Sequence, residues 1–483
     1  MKINKQKTMK KIQVLFLVII LFLQEINCQN QNDTIDISKQ IENYVLTEIE
    51  NHNIPGLSLA VIQNSKVLFE GYYGKSNLEF KIPVDSNHLF RIYSATKLII
   101  ATAVFQLIDE KKLTLEDSIQ KYISDIPEEW SNVKIKNLLT HSSGIPNFIA
   151  YDSSLSNEQM FKKLIALPLD FKTGETFSYN QTNYWFLAKI IENISGTSLK
   201  DFIINKQFNG NSKGITFSSN SLEVIENRVS KHVFDFETDN FIKSSDQEKN
   251  RGFAGNGLNI TLQRLIEWSK RLDNNQLISE TSKQLMWTPF KFLKRGHFLH
   301  GWGDYSTPNF KSYGFTGGGV SAIRKFVDQN ITIILLSNGY KYAPVHNDIV
   351  DIIAGIVNPK IKNQQTILYK EIANAYLTNS LEEGKSQVQS ILKKNQKSQI
   401  EPILNRVGYF LLQIDINKAI SAFELNTKLF PNSENTYDSL GESYFINKDF
   451  KNAKLNYQKV LQINPENSNA KNMINKIEGI LSK

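Results

Sequence analysis

Residues 90–97 read Phe-Arg-Ile-Tyr-Ser-Ala-Thr-Lys and continue directly into an apolar segment that ends near residue 110. Apolar side chains in this segment cover more than one side of a helix, which predicts a helix over 94–110 that is buried on most of its surface. Ser94 and Lys97 are three residues apart and therefore lie on one face of that helix. Ser94 also stands at the helix N-terminus, in the positive field of the backbone dipole. A neighbouring lysine that burial deprives of its proton can serve as a base for such a serine.

Strand-like segments lie on both sides of this helix in the chain. Leu57–Ile62 and Lys66–Phe69 are separated by a polar turn at 63–65 and predict a β-hairpin. Ile331–Ser337 reads Ile-Thr-Ile-Ile-Leu-Leu-Ser and predicts a buried strand, and 313–326 contains two more strand-like segments. Because mainly helices and loops are predicted in between, we expect the first and last segments to share one sheet.

From about residue 362 onward only helical patterns occur. Pro431 and Pro465 are 34 residues apart, and a 34-residue period is typical of tetratricopeptide helix–turn–helix repeats. The clearest copy spans 434–467 and carries the pattern residues Tyr437, Leu440, Gly441, Tyr444, Ala453, Tyr457 and Pro465. The copy at 400–433 has Arg406 and Val407 where leucine and glycine are expected, so it is degenerate. We expect a helical repeat domain over 362–483 that binds a protein partner; a plain helical domain with accidental periodicity is the alternative.

Composition and charge exclude several classes of protein. The 483 residues are 41% hydrophobic and 22% charged, which is unlike a disordered or polytopic membrane protein. Half of the net charge of +8 lies in residues 1–28, and the remainder shows no basic stripe, so no nucleic-acid partner is expected. Cys28 is the only cysteine, and the seven histidines form no HExxH motif, so neither a metal nor an organic cofactor is predicted.

The N-terminus has the pattern of a targeting segment. Five lysines precede an apolar run over 14–23, whose ten residues span about 15 Å as a helix, half of the roughly 30 Å hydrocarbon core of a membrane. This predicts a secretory signal peptide over 1–28 and export to the periplasm or cell envelope. Acylation of Cys28 as a lipoprotein and an uncleaved anchor are the alternatives. Contact with a membrane is expected only through this segment.

Further motifs follow Ser94 and Lys97 along the chain. They are Leu-Leu-Thr-His-Ser-Ser-Gly-Ile-Pro at 138–146, Gly-Glu-Thr-Phe-Ser-Tyr at 174–179 and Gly-Phe-Thr-Gly-Gly at 314–318. An S-x-x-K pair alone is common and indicates little. With these motifs in this order, the segment 36–358 resembles the serine β-lactamases and penicillin-binding-protein-like hydrolases, above all the branch with class C β-lactamases, D-alanyl-D-alanine carboxypeptidases and esterases.

The resemblance implies an α/β (α+β) fold, in which helices and a helical subdomain flank an antiparallel sheet with the active site in the cleft. It implies that Ser94 is the acylated nucleophile and that Lys97 hydrogen-bonds it and assists proton transfer. Tyr179 matches the tyrosine of the family's Y-x-N motif, which passes the proton to the leaving group and activates the deacylating water. The backbone N–H groups of Ser94 and Gly318 are expected to form the oxyanion hole, where one donor is worth about 3–4 kcal/mol of barrier. Gln181, Thr316 and Gly317 are expected to bind substrate.

Two positions depart from the family pattern. Gln181 stands where the Y-x-N motif has asparagine, and Phe315 stands where the third motif has lysine or histidine. Asn180 is a candidate to replace the missing asparagine. Without a cation at 315, binding a substrate carboxylate and lowering the tyrosine pKa both become harder. His141 and the glycines near 255 are expected to be mainly structural.

These observations predict an exported serine hydrolase that forms an acyl-enzyme with an ester, an amide or a D-amino-acid peptide. The alternative is a catalytically weakened binding protein of the same fold, whose repeats recruit a protein partner. A scaffold in which the hydrolase unit is only a spacer is a third hypothesis.

Overall fold

A computed structural model describes residues 36–342, 345–395 and 399–482. The predicted signal peptide and Cys28 lie outside these residues. Within them, no helix is long and apolar enough to cross a membrane, and no group of three or more His, Cys, Asp or Glu side chains is placed to hold a metal ion. The chain divides into two compact units, 1–340 with 356–361, and 341–355 with 362–483.

The first unit contains the strands and the first nine helices. Its strands are, in chain order, β1 Gly56–Gln63, β2 Lys66–Asn77, β3 Ile82–Pro83, β4 Phe90–Arg91, β5 Ile215–Phe217, β6 His232–Asp235, β7 Asn240–Lys243, β8 Leu258–Ile260, β9 Gly303–Asp304, β10 Ser312–Gly317, β11 Ser321–Phe326 and β12 Ile331–Ser337. Its helices are α1 36–51, α2 Thr96–Asp109, α3 Ile135–Leu139, α4 Asn157–Ile165, α5 Gln181–Ser195, α6 Leu199–Phe208, α7 Phe253–Asn256, α8 Leu262–Asp273 and α9 Glu280–Met286.

The main sheet joins the two ends of the first unit, as the sequence predicts. Its strand order is β3-β2-β1-β12-β11-β10-β9, with antiparallel neighbours. Leu57 lies opposite Ser337, and Gln63 lies opposite Ile331. Both β1 and β12 are buried along almost their whole length, which is typical of central strands covered on both faces.

The first hairpin is tighter and longer than predicted. Asn64 and Ser65 have φ angles of 49° and 62°, so they form a two-residue turn of the kind that matches the twist of a hairpin. The second strand continues to Asn77, beyond the predicted end at Phe69. A separate hairpin of β6 and β7 stands in the region 130–250, where the sequence predicts mainly helices and loops.

Helix α2 is the buried central helix that the sequence predicts. Its side chains from Thr96 to Leu107 are all buried. Ser94 precedes the helix in a 3-10 turn over Tyr93–Ala95, and this turn packs against β10. The fold therefore places the start of α2 beside the sheet strand that carries the third motif.

The second unit is made of helices. They are α10 His346–Val357, which the sequence analysis placed in the hydrolase domain, α11 Gln364–Thr378, α12 Leu381–Leu392, α13 Ile400–Leu411, α14 Ile416–Leu429, α15 Glu434–Ile446, α16 Phe450–Ile463 and α17 Ser468–Leu481. The helical character of the C-terminal region is thus confirmed, and α11 with α12 forms a further packed pair that the period did not reveal. Assignment to the tetratricopeptide type stays a prediction.

Each predicted repeat contains a close contact between a glycine and an aromatic ring. A Cβ on Gly441 would lie 3.2 Å from the Tyr457 ring, and one on Gly408 would lie 2.5 Å from Phe423 Cζ. The glycine that the sequence analysis missed at Val407 is therefore present one residue later. The reason is a shorter connection: the capping Asp415 follows Gly408 by seven residues, whereas Asp449 follows Gly441 by eight.

Candidate active site

Ser94 and Tyr179 meet through their hydroxyl groups. The Tyr179 hydroxyl donates a hydrogen bond to Ser94 Oγ over 2.7 Å. Burial raises the pKa of Tyr179 to about 12, against the opposing effect of the Ser94 hydrogen bond, so the phenol is a proton donor at neutral pH. The Tyr179 side chain is still 39% exposed, which puts this pair at the edge of solvent where a substrate can reach it.

Lys97 lies fully buried behind this pair. Its Nζ donates to Gln181 Oε1 over 2.9 Å and to the carbonyl of Gly255 over 2.8 Å. Burial lowers the pKa of Lys97 well below its usual range, and the Glu248 carboxylate opposes this only in part. A neutral amine has two N–H groups, which these two acceptors match, and its lone pair is then available to accept a proton.

Aromatic rings surround the amine of Lys97. Its Nζ lies 4.7 Å from the centre of the Tyr179 ring, 5.0 Å from that of Tyr184 and 5.8 Å from that of Phe315. The hydrogen bond from Lys97 to Ser94 that the resemblance implies is not formed within the described residues. The two acceptors hold the amine, and Tyr179 contacts both the amine, through its ring, and Ser94, through its hydroxyl.

Gln181 takes the place of the expected asparagine, and Asn180 does not. Asn180 caps α5, because its Oδ1 accepts from the N–H of Thr182 over 2.7 Å, and its amide nitrogen donates to the carbonyl of Ile145. Gln181 is one methylene longer than asparagine, and its amide oxygen fits because residue 255 has no side chain: a Cβ on Gly255 would overlap Gln181 Oε1. Gly255 therefore lies against the Lys97 and Gln181 side chains, whereas the sequence favoured a loop-shaping role for the glycines at 252, 255 and 257 over a position lining the cleft.

His141 holds the segment that carries Tyr179. Its Nδ1 accepts a hydrogen bond from the N–H of Asn180 over 3.1 Å, and its ring centre lies 4.6 Å from that of Tyr179. Burial lowers the pKa of His141 well below its usual range, and the nearby Lys97 lowers it further, so the ring is neutral. These contacts are those of a positioning residue, which agrees with the structural role that the sequence analysis gave it.

The end of β10 passes directly beside the backbone of Ser94. A Cβ on Gly317 would lie 2.9 Å from the backbone nitrogen of Ser94, so only glycine fits this approach. Gly318 has a φ of 55°, and a Cβ there would lie 2.7 Å from Tyr93 Cγ. Thr316 is half-buried. The structure thus brings Gly317 to the backbone nitrogen of Ser94 and Gly318 to the ring of the preceding residue, Tyr93, and the oxyanion hole stays a prediction.

The Beta-lactamase family profile matches residues 41–356, about two thirds of the chain. The chain belongs to the Beta-lactamase family. Protein flp of Staphylococcus aureus (strain MRSA252) is 28% identical over 181 residues, a match that covers 36% of this chain and 36% of that protein. Penicillin-binding protein 4* of Bacillus subtilis (strain 168) is 27% identical over 327 residues, covering 62% of this chain and 71% of that protein. The solved D-amino acid amidase of Ochrobactrum anthropi SV3 is 18% identical with a TM-score of 0.57, covering 67% of this chain and 99% of that chain.

Phe315 is the main departure from the Beta-lactamase family pattern in the structure. Its ring is buried, with its centre 6.3 Å from that of Tyr179 and 6.0 Å from that of Phe298. An uncharged ring therefore fills the position beside the tyrosine where the resemblance implies a lysine or histidine. The high pKa of Tyr179 is consistent with this, since a neighbouring cation would favour the phenolate.

Proposed function

We propose that this member of the Beta-lactamase family is an exported serine hydrolase that forms an acyl-enzyme on Ser94. The observation that carries the proposal is the 2.7 Å hydrogen bond between Tyr179 and Ser94, next to a buried lysine whose pKa is held low. A protonated phenol and a neutral amine supply the acid and the base that acyl transfer needs.

The reaction follows from these protonation states. Ser94 Oγ attacks the carbonyl carbon of the substrate, and the neutral amine of Lys97 takes up the Ser94 proton, for which it has to turn from Gln181 and Gly255 toward Ser94. The C–O or C–N bond to the leaving group then breaks as the Tyr179 hydroxyl, which reaches Ser94 Oγ, donates its proton to the departing oxygen or nitrogen, and the Lys97 ammonium restores the phenol proton. A water molecule attacks the acyl-enzyme with the same proton path, which releases the carboxylic acid and restores Ser94. The N–H groups of Ser94 and Gly318 stabilise the oxyanion in both steps.

The preferred substrate is an ester or amide without a carboxylate beside the scissile bond. Phe315 offers a substrate carboxylate neither a charge nor a hydrogen bond, and an unpaired carboxylate in such a site is costly to desolvate. Acyl compounds without a carboxylate, including D-amino-acid amides, are therefore favoured over β-lactams and peptides with a free C-terminus. The likeness to the D-amino acid amidase, which the chain covers over 99% of its length, supports the amide class.

The test is covalent labelling of the full chain. We expect a fluorophosphonate to add to Ser94, seen as a mass shift on the peptide that contains it, and Ser94→Ala to abolish the shift. A labelled penicillin should react more slowly, because its carboxylate meets Phe315. If neither reagent labels Ser94, the acyl-enzyme proposal is overturned.

The second candidate is a binding protein of the same fold, and the absence of a charge at Phe315 is the observation that favours it. Ester turnover decides between the two, since equal rates in the wild type and in Ser94→Ala would favour binding. In either case we propose that the repeats at 400–433 and 434–467 recruit a protein partner. Pull-down with full-length protein and with a chain ending at 361 tests that part.

A further inference from the structure

A cavity of about 280 Å³ in the first unit is lined by a group of basic side chains. Its walls come from β4, from the segment 221–231 and from the end of β7. The basic residues that line it are Arg91, Arg228, Lys231 and Lys243. Tyr93, which immediately precedes the nucleophile, separates this cavity from Gly318.

The acidic residues near this cavity do not balance its basic ones. Asp246 accepts a hydrogen bond from Tyr93 over 2.8 Å and lies 3.4 Å from Arg91. Glu223 lines the cavity as well. Two carboxylates therefore face four cations, which leaves an excess of about two positive charges in a partly desolvated space.

Neither Lys231 nor Lys243 forms an ion pair with a carboxylate within the described part of the chain, and Lys231 is the more buried of the two. The Nζ of Lys231 lies 4.5 Å from the centre of the Tyr93 ring, and the residue is half-buried. Burial lowers the pKa of Lys231, and the charge of Arg91 lowers it further, although Asp246 opposes both. A bound anion would remove this penalty, because it pairs with the ammonium and offsets the neighbouring charge.

Unlike Lys231, Arg228 has most of its N–H groups bound to backbone carbonyls. It therefore contributes positive charge to the cavity but few free hydrogen-bond donors. Its guanidinium donates to the carbonyls of Asn220, over 2.9 Å, and Ser221, over 2.7 Å, so most of its N–H groups are engaged in holding the loop. Burial lowers the pKa of Arg228. Arg228 thus holds the loop at 220–221 in place and, as a lining residue, adds a positive charge to the cavity.

We infer that this cavity binds the oxyanion of a small molecule, a phosphate or a carboxylate group, through Lys231 with support from Arg228 and Lys243. The site is distinct from the Ser94 pocket, since its ligand contacts the far side of Tyr93. A volume of about 280 Å³ is large enough for a small metabolite.

The test is calorimetric titration of the full-length chain with inorganic phosphate at constant ionic strength, with chloride as the balancing salt. We expect saturable binding at one site per chain. Lys231→Gln should weaken it by about tenfold or more, because a charge-assisted hydrogen bond is lost. The matched control Lys200→Gln, an exposed lysine on α6, should bind like the wild type.

Three further measurements distinguish this site from the alternatives. Ser94→Ala should retain phosphate binding; loss of binding there would place the anion on the nucleophile and overturn the inference. Lys243→Gln, an exposed substitution, should weaken binding even if Lys231→Gln fails to fold. Displacement of phosphate by acetate would assign a carboxylate ligand, and resistance to acetate a phosphoryl group. An absence of saturable binding in the wild type, or equal affinity in Lys231→Gln and Lys200→Gln, would refute the site.

Discussion

Gln181 Oε1 occupies the space that a side chain on residue 255 would need. The same oxygen and the carbonyl of Gly255 are the two acceptors of the Lys97 amine. The longer amide of Gln181 and the missing side chain at Gly255 therefore compensate each other, and together the two residues hold the Lys97 amine.

Gly255→Ala should displace Gln181 and with it the Lys97 amine. Because a misplacement of about 1 Å can cost about a hundredfold in rate, we expect the kcat of ester hydrolysis to fall between tenfold and a hundredfold. Adding Gln181→Asn to Gly255→Ala should restore part of the rate, since the shorter amide leaves room for the new methyl group. Gly479→Ala, where a Cβ meets nothing within 4 Å, is the matched control. If the double variant is no faster than Gly255→Ala, the compensation is not real.

Tyr179→Phe should remove the proton path while leaving the ring contacts of Lys97 in place. General acid–base groups contribute about 10²–10⁴-fold, so kcat should fall by that range with a small change in KM. Rapid-quench measurement of the acyl-enzyme checks this, and Tyr437→Phe in the helical unit serves as control. A variant that retains more than half of wild-type kcat would exclude Tyr179 from proton transfer.

Lys97 should make the stability of the first unit depend on pH. Between its lowered pKa in the folded state and about 10.5 in the unfolded state, only the unfolded chain binds the proton, so the free energy of unfolding rises with pH. The contribution is at most about 1.4 kcal/mol per pH unit. We expect the difference between wild type and Lys97→Met to grow in favour of the wild type as the pH rises from about 7 to about 10.

Urea denaturation followed by tryptophan fluorescence measures this difference, because all five tryptophans, at 130, 185, 268, 287 and 302, lie in the first unit. If the free energies of unfolding of the wild type and of Lys97→Met change with pH in parallel, Lys97 is protonated in the folded state.

Phe315→His should shift substrate preference toward compounds with a carboxylate. An imidazole at this position, where the present ring centre lies 6.3 Å from that of Tyr179, supplies a hydrogen-bond donor that a substrate carboxylate can pair with, and the bound carboxylate favours the protonated form of the ring. We expect the ratio of kcat/KM for an N-acyl-D-amino-acid peptide to that for its amide to rise about tenfold, the worth of one charge-assisted contact. Phe80→His, at a residue that is 70% exposed, is the control. If the ratio of the two kcat/KM values does not change, Phe315 does not determine the substrate preference.

Gly408→Ala should loosen the pair α13–α14 without affecting catalysis. The added Cβ would lie 2.5 Å from Phe423 Cζ, and overpacking of this kind costs about 1–3 kcal/mol. Hydrogen exchange should therefore speed up over 400–429, while the fluorescence transition of the first unit stays in place. Gly479→Ala is again the control, and equal exchange in the two variants would contradict the assigned contact.

The sequence predicted the features that depend on local patterns and on motif order. The apolar segments at 57–62 and 331–337 were enough to predict that the two ends of the first unit share a sheet. The order of the motifs, together with the buried helix after Ser94, was enough to predict that Ser94 and Tyr179 lie together. The carboxy-terminal helices followed from periodicity alone.

What the sequence could not predict depends on distances between remote segments. Gly255 is one of several glycines near that position, and nothing local marks it as the one that faces Gln181 across 74 residues. The glycine of the first repeat was missed because a connection one residue shorter moves Gly408 out of the period. The basic cavity combines β4, a loop and β7, so no single segment shows a basic pattern.

The pairing of β1 with β12 has a consequence for synthesis on the ribosome. Leu57 emerges some 280 residues before its partner Ser337, so a growing chain carries the nucleophile long before the sheet beneath it can close. Until β12 is synthesised, the edge of β1 that pairs with it is unpaired and apolar, so it can pair with strands of other chains. A chaperone that holds the nascent polypeptide during this interval would protect it, and a messenger cut short before codon 331 would yield an inert, aggregating product.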